Sequence, residues 1–300
     1  MKFHHRLFRR RGLTENGDLV KVEVVVLVDD NAQSGLHAAH GFAALINCFY
    51  KKEEVKILFD TGPDTTLLNN ALAMKTELGK VDVIALSHGH YDHTGGLLDA
   101  IKTIGRRIPI VVDPEAFSTK LAYKPALTYI GTPFQPWQIE AAGGTLVLTV
   151  KPTLLARGVT LTGRIERRID EPSVKGLYVV KDGVIVKDEV PDDRALILNV
   201  NGRIMIVTGC AHAGVLNLVD EALRLTGANS IAILIGGLHL FNVPRRKAED
   251  IARELKRMNV SKVAPCHCTG ERGLEELRKV FGDSCIPLKA GSTYWLSFFA

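Results

Sequence analysis

The stretch Ser87-His88-Gly89-His90-Tyr91-Asp92-His93-Thr94-Gly95-Gly96 constrains this chain more than any other, because it packs three imidazoles and a carboxylate into a few residues. The preceding run, 81–86, is apolar and rich in β-branched residues, as a buried strand is. Leu97, Leu98, Ile101 and Ile104 follow it at helical spacing. The histidines therefore sit at a strand-to-helix turn. Side chains two apart in an extended segment point the same way, so His88 and His90 can converge on one cation. Once the chain turns, Asp92 and His93 can face another. Imidazole and carboxylate are ligands of zinc, with manganese or iron as alternatives, and catalytic sites keep a position open. Two divalent metal ions are the expected cofactors. A His-rich surface loop that binds nothing is the competing reading for a lone H-x-H, and the denser motif weighs against it.

H-x-H-x-D-H after an apolar strand, with glycines following, resembles the signature of the metallo-β-lactamase superfamily. The resemblance implies an α/β fold, a four-layer αββα sandwich with two mixed sheets face to face and the site at one sheet edge. Alternating strands and helices at both ends of the chain agree with layered α/β architecture.

Three hundred residues with 46% hydrophobic and 24% charged content suit one large domain spanning 1–300. No apolar run is long enough for a membrane helix, and the N-terminus lacks the apolar middle of a secretory signal. A cytoplasmic location is expected, without membrane partners. Five cysteines, an odd number with Cys266 and Cys268 flanking His267, read as reduced thiols rather than a disulfide framework. The net charge of +5 owes much to Lys2, Arg6, Arg9, Arg10 and Arg11. Without aromatic interleaving or a binding motif, residues 1–18 read as a flexible basic tail and not as a nucleic-acid arm.

In chain order, a valine-rich strand over 20–28 leads to a loop carrying His37 and His40, the latter expected at the substrate mouth. Strand 55–59 ends in Asp60-Thr61-Gly62. The superfamily has a similar D-x-G turn, which implies that Asp60 orients a metal-bearing imidazole; capping a helix over 64–78 is its other reading. Between about 114 and 194, prolines and glycines break the pattern, and this stretch is expected to be an insertion over the site. Its Tyr129, Phe134 and Trp137 are candidates for stacking on a ring. Strands 195–200 and 203–207, joined by Asn201-Gly202, predict a hairpin.

That hairpin runs into Thr208-Gly209-Cys210-Ala211-His212. No histidine lies between His93 and His212, so His212 is the first residue downstream that could complete the first imidazole set. The superfamily usually has an aspartate where this chain has Cys210, which leaves a thiolate ligand or a small core residue as readings. Strand 231–235 delivers Gly236-Gly237-Leu238-His239, and His239, surplus to the ligand count, is expected in the cleft as a phosphate donor or general acid. His267, in Pro265-Cys266-His267-Cys268, stands where the superfamily has its last ligand to the second metal.

Together with Ala39-His40-Gly41 and Phe59-Asp60-Thr61-Gly62, the motifs around His212, His239 and His267 resemble the superfamily's archaeal subgroup named for dihydropterin ribofuranosylaminobenzene 5′-phosphate synthase. The implied function is a dinuclear enzyme, with Asp92 and His239 as catalytic residues. The implied substrate is a phosphorylated small molecule, a pterin among the options. Hydrolysis and synthase chemistry with diphosphate leaving both fit. A hydrolase of another ester, thioester or lactam and a non-catalytic metal-dependent binding protein are the alternatives. Self-association as a homo-oligomer is compatible with the sequence.

Overall fold

The computed structural model describes residues 19–123, 125–172 and 175–297; the expected basic tail, 1–18, lies outside the described residues. Three antiparallel strands, Leu19–Val28 (β1), Ala43–Tyr50 (β2) and Glu54–Phe59 (β3), start the first sheet. Val83–Ala85 (β4) and Ile108–Val112 (β5) join it in parallel. Lys120–Tyr123 (β6) and Leu127–Tyr129 (β7) leave for a small separate sheet, and Gly144–Leu148 (β8) returns to pair with β5.

Thr153–Ala156 (β9) and Val159–Leu161 (β10) open the second large sheet. Leu177–Lys181 (β11) and Val184–Lys187 (β12) complete the small one, ordered β12-β11-β6-β7. The Asn-Gly hairpin forms as expected, from Ala195–Val200 (β13) and Arg203–Thr208 (β14). Ile233–Gly237 (β15) then adds in parallel to β14 and Val263–Cys266 (β16) in parallel to β15, and Thr293–Ser297 (β17) closes the first sheet beside β1.

Strand alternation explains the layering. Val22, Val24 and Val26 of β1 meet Leu196, Leu198 and Val200 of β13 in one cluster between the sheets. The intervening Val25 and Leu27 face outward onto Thr66–Ala73 (α1) and Leu97–Ile104 (α3), which follows the one-turn helix Tyr91–Thr94 (α2). On the opposite flank, Ile197, Ile204 and Ile206 pack against Val215–Thr226 (α5), Arg245–Arg257 (α6) and Gly270–Phe281 (α7); the short Pro136–Ala141 (α4) sits beside β8. Both faces of each large sheet are covered, which is why valine and isoleucine run through the strands with little polar interruption. The result is an αββα sandwich.

Local departures from the sequence expectation have local causes. The helix expected over 64–78 is only Thr66–Ala73, because Lys75 takes a left-handed φ of 56° just beyond it. The stretch 114–194 is divided: residues 144–161 contribute strands to both main sheets, whereas 120–129 and 177–187 form the small sheet. Short strands between glycines and prolines carry too little periodicity to reveal that division.

Candidate metal centre

The site lies at the C-terminal ends of parallel strands, where α/β sheets place their ligands. From the first sheet, β3 ends at Asp60 and β4 leads into the Ser87–His93 loop. From the second, β14 leads into Cys210-Ala211-His212, β15 into His239 and β16 into His267. Gly89, between two histidines, is required by contact: a Cβ there would fall 2.0 Å from the Ala116 carbonyl oxygen.

Among the groups of donors that result, two match the expected sets. The nitrogens of His88, His90 and His212 lie within 4.8 Å of one another, as do the donor atoms of Asp92, His93 and His267. His88 Nε2 and His90 Nδ1 are 2.9 Å apart. Asp92 Oδ2 lies 3.5 Å from His93 Nε2 and 3.6 Å from His267 Nε2. Neither ring nitrogen of His212 has a hydrogen-bond partner, nor do His90 Nε2 and His267 Nε2, although all are buried. Buried polar atoms are rarely left in this state, and a cation satisfies them. The residues therefore fit a metal both in donor chemistry and in unmet bonding capacity.

The opposite ring edges of His88, His93 and His267 are fixed. Asp60 Oδ2 accepts from His93 Nδ1 at 2.8 Å and from Ser87 Oγ at 2.7 Å, while Oδ1 accepts from the Ser87 N–H. Ser87 Oγ in turn accepts from His88 Nδ1 at 2.8 Å. Asp30 Oδ1 accepts from His267 Nδ1 at 2.7 Å, and Asp29 Oδ1 takes the His267 N–H. With Nδ1 protonated by these contacts, His88, His93 and His267 each turn a lone pair at Nε2 toward the centre. Asp60 thus supports both sets at once, and its backbone sits at φ 59° to do so. Capping of α1 falls to the neighbourhood of Asp64, whose Oδ1 accepts from the Thr66 N–H.

Electrostatics separate the two sets. Burial, reinforced by neighbouring imidazoles, holds His88 and His212 well below the usual histidine range, and burial holds His90 down to about 4. Their neutral form is the one that can donate a lone pair to a cation. His93 moves up to about 9: burial opposes its charge, but the carboxylates of Asp92 and Asp60 outweigh burial. The negative charge that would hold a proton there equally attracts a metal cation.

His40 stands at the rim. Its Nδ1 hydrogen-bonds Asp30 Oδ2 at 3.1 Å, its Nε2 is 3.7 Å from Asp92, and its side chain is 63% exposed. His37 is exposed in the same loop. His239 lies in the cleft, its ring 4.6 Å from that of His212. Cys210 is buried, its Sγ 3.2 Å from His93 Nε2, and its sulfur and one donor atom each of His88 and His93 form a further group within 4.8 Å of one another. The stacking surface expected from three aromatics does not form as such, because Phe134 is buried beneath the first sheet with Leu97 and Ile101. Tyr129 and Trp137 are exposed.

Sequence reasoning missed several supports. Asp29 and Asp30 end β1 as Asp60 ends β3, and an acidic pair after a valine strand was the available signal. Asp192 Oδ2 accepts from the Gly89 N–H at 2.8 Å, while its Oδ1 and Asp188 bind the buried ammonium of Lys120. Nothing in the local pattern linked Lys120 to residues about seventy positions away.

Residues 42–267 match the family described as the metallo-β-lactamase superfamily. The 7,8-dihydropterin-6-methyl-4-(β-D-ribofuranosyl)-aminobenzene-5′-phosphate synthase of Methanocaldococcus jannaschii is 31% identical over 287 residues, covering 92% of this chain and 97% of that protein. An uncharacterized protein of the same archaeon is 31% identical over 257 residues, 86% of this chain and 94% of its own. Among solved structures, Tm1679, described as a metal-dependent hydrolase of the β-lactamase superfamily, superposes with a TM-score of 0.79 at 26% identity, covering 92% of this chain and 99% of that one.

Proposed function

The chain belongs to the metallo-β-lactamase superfamily, and from that premise we propose that it is a dinuclear metal-dependent enzyme acting on a phosphorylated small molecule, a dihydropterin by preference. The observation that carries the proposal is the pair of donor sets, with unpartnered nitrogens on His90, His212 and His267 and with a hydroxyl or carboxylate on the far ring edge of His88, His93 and His267. His88, His90 and His212 would hold one cation and Asp92, His93 and His267 the second, with zinc favoured by the imidazole count and manganese or iron as alternatives. Cations so held supply Lewis-acid stabilisation of charge developing on a phosphate or diphosphate.

The protein's own part is orientation and proton handling. Asp60 and Asp30 fix the tautomers of His93 and His267. His40, held by Asp30 and open to solvent, is placed to donate a hydrogen bond to an entering phosphate. Half-buried beside His212, His239 suits a donor deeper in the cleft. The small sheet, tied through Asp192 to Gly89, braces the loop that carries the ligands, and we read the whole as one domain.

Similarity to the synthase favours release of diphosphate on joining two substrates, while the solved hydrolase keeps simple hydrolysis as the second reading. Metal-loaded protein supplied with a dihydropterin diphosphate, with and without the aminobenzene ribosyl phosphate, separates them. Diphosphate release that requires the second substrate marks synthase chemistry, and release without it marks hydrolysis. No turnover and no binding of either substrate, with both cations in place, would overturn the substrate class.

A further inference from the structure

One corner of the cleft contains residues that neither donor set uses. Cys210 follows β14, His239 follows β15 and Cys268 follows β16, so three adjacent parallel strands each deliver one soft or borderline donor to the same place. Their ligand atoms all lie within 4.8 Å of one another. Both thiols are buried; the Cys268 thiol donates to the Cys210 carbonyl at 3.8 Å and lies beside the His239 ring, whose nitrogens meet no oxygen or nitrogen partner.

Packing alone does not account for this grouping. Cys48, Cys266 and Cys285 sit inside the hydrophobic clusters, as small apolar residues do, whereas Cys210 and Cys268 belong to none of them. The backbone is also bent to make the corner: His239 has a φ of 49° and Ala211, beside Cys210, one of 54°. Such left-handed geometry costs about 1–3 kcal/mol per non-glycine residue and gathers at functional sites. Gly237 leaves the room, since a Cβ there would fall 2.6 Å from Cys268 Sγ.

We propose that Cys210, His239 and Cys268 form a third cation site, beside the His/Asp centre, that takes zinc or another thiophilic divalent ion. Two sulfurs and one imidazole make a three-ligand set with a fourth position open, and sulfur selects softer cations than the carboxylate of Asp92 does. The site goes beyond the functional reading above. His239 and Cys268 are in neither of its ligand sets, and Cys210 is the point of contact through His93.

The test is cobalt(II) titration of the full chain, stripped with chelator and kept reduced, following metal stoichiometry and the sulfur-to-cobalt charge-transfer absorption. Wild type should bind one equivalent more than Cys268→Ser and show a sulfur band that weakens in Cys268→Ser as well as in Cys210→Ser. Manganese, which avoids thiolates, should give equal stoichiometry in wild type and Cys268→Ser. Unchanged cobalt stoichiometry and an unchanged sulfur band in Cys268→Ser would overturn the site, including the case in which Cys210→Ser alone removes the band. Should Cys268→Ser fail to fold, by circular dichroism, the decision passes to His239→Asn, where loss of the same equivalent supports the site and full retention overturns it. Failure of the His/Asp reading looks different: His90→Ala would then keep wild-type stoichiometry while the Cys268-dependent band behaves as expected.

Discussion

Replacing Lys120 by methionine should destabilise the protein by about 3–5 kcal/mol, the range for stripping one partner from a buried ion network. The Lys120 side chain is fully buried, with Asp192 Oδ1 at 2.8 Å and Asp188 Oδ2 at 3.1 Å, both carboxylates equally enclosed. At an effective dielectric of about 20, each contact near 3 Å is worth roughly 5 kcal/mol of Coulomb attraction. Desolvation of several kcal/mol per ion offsets most of that, so the intact network contributes little net stability. Without the ammonium, the desolvation of two carboxylates is uncompensated.

The effect is fully present at neutral pH. Burial works against the Lys120 charge, but Asp192 and Asp188 more than reverse it and raise its pKa. A raised lysine stabilises the fold completely below its unfolded value of about 10.4, and that contribution is lost only as pH climbs through the raised value. Equilibrium urea denaturation at neutral pH, with metals loaded, measures the loss. The triple variant Lys120→Met, Asp188→Asn, Asp192→Asn should recover most of it, because no buried charge is then unpaired. A loss under about 1 kcal/mol for Lys120→Met, or no recovery in the triple variant, would refute the reasoning.

Further outcomes follow from the same contacts. Asp192→Ala removes both the Gly89 N–H acceptor and one partner of the buried Lys120, at about 3–5 kcal/mol, and should weaken metal binding, whereas Asp192→Asn keeps an acceptor and should weaken it less; isothermal titration ranks the two. Asp60→Asn should lower metal affinity roughly 10–100-fold, as losses of ligand-orienting partners do, and an affinity within twofold of wild type would contradict its double role. His90→Ala should lose one cation by elemental analysis and retain the fold by circular dichroism. Gly89→Ala forces a Cβ against the Ala116 carbonyl and should lower stability by about 1–3 kcal/mol, read as a reduced denaturation midpoint.

The sequence by itself determined the density of candidate donor side chains in Ser87–Gly96, the Asn-Gly hairpin and the strand-end positions of His212, His239 and His267. These are legible because side-chain period, turn chemistry and donor type act over a few residues. It also placed Asp60 at a turn while leaving two roles open. Tertiary structure supplied its partners, because only the folded chain brings Ser87 and His93 to the same carboxylate. It likewise gave His267 its Asp29 and Asp30 partners from the far end of the chain, buried Phe134, set Cys268 against Cys210 and His239, and enclosed Lys120 between Asp188 and Asp192. Each of those depends on strands paired across long sequence separations, where register and sheet order, rather than any local pattern, fix which side chains meet.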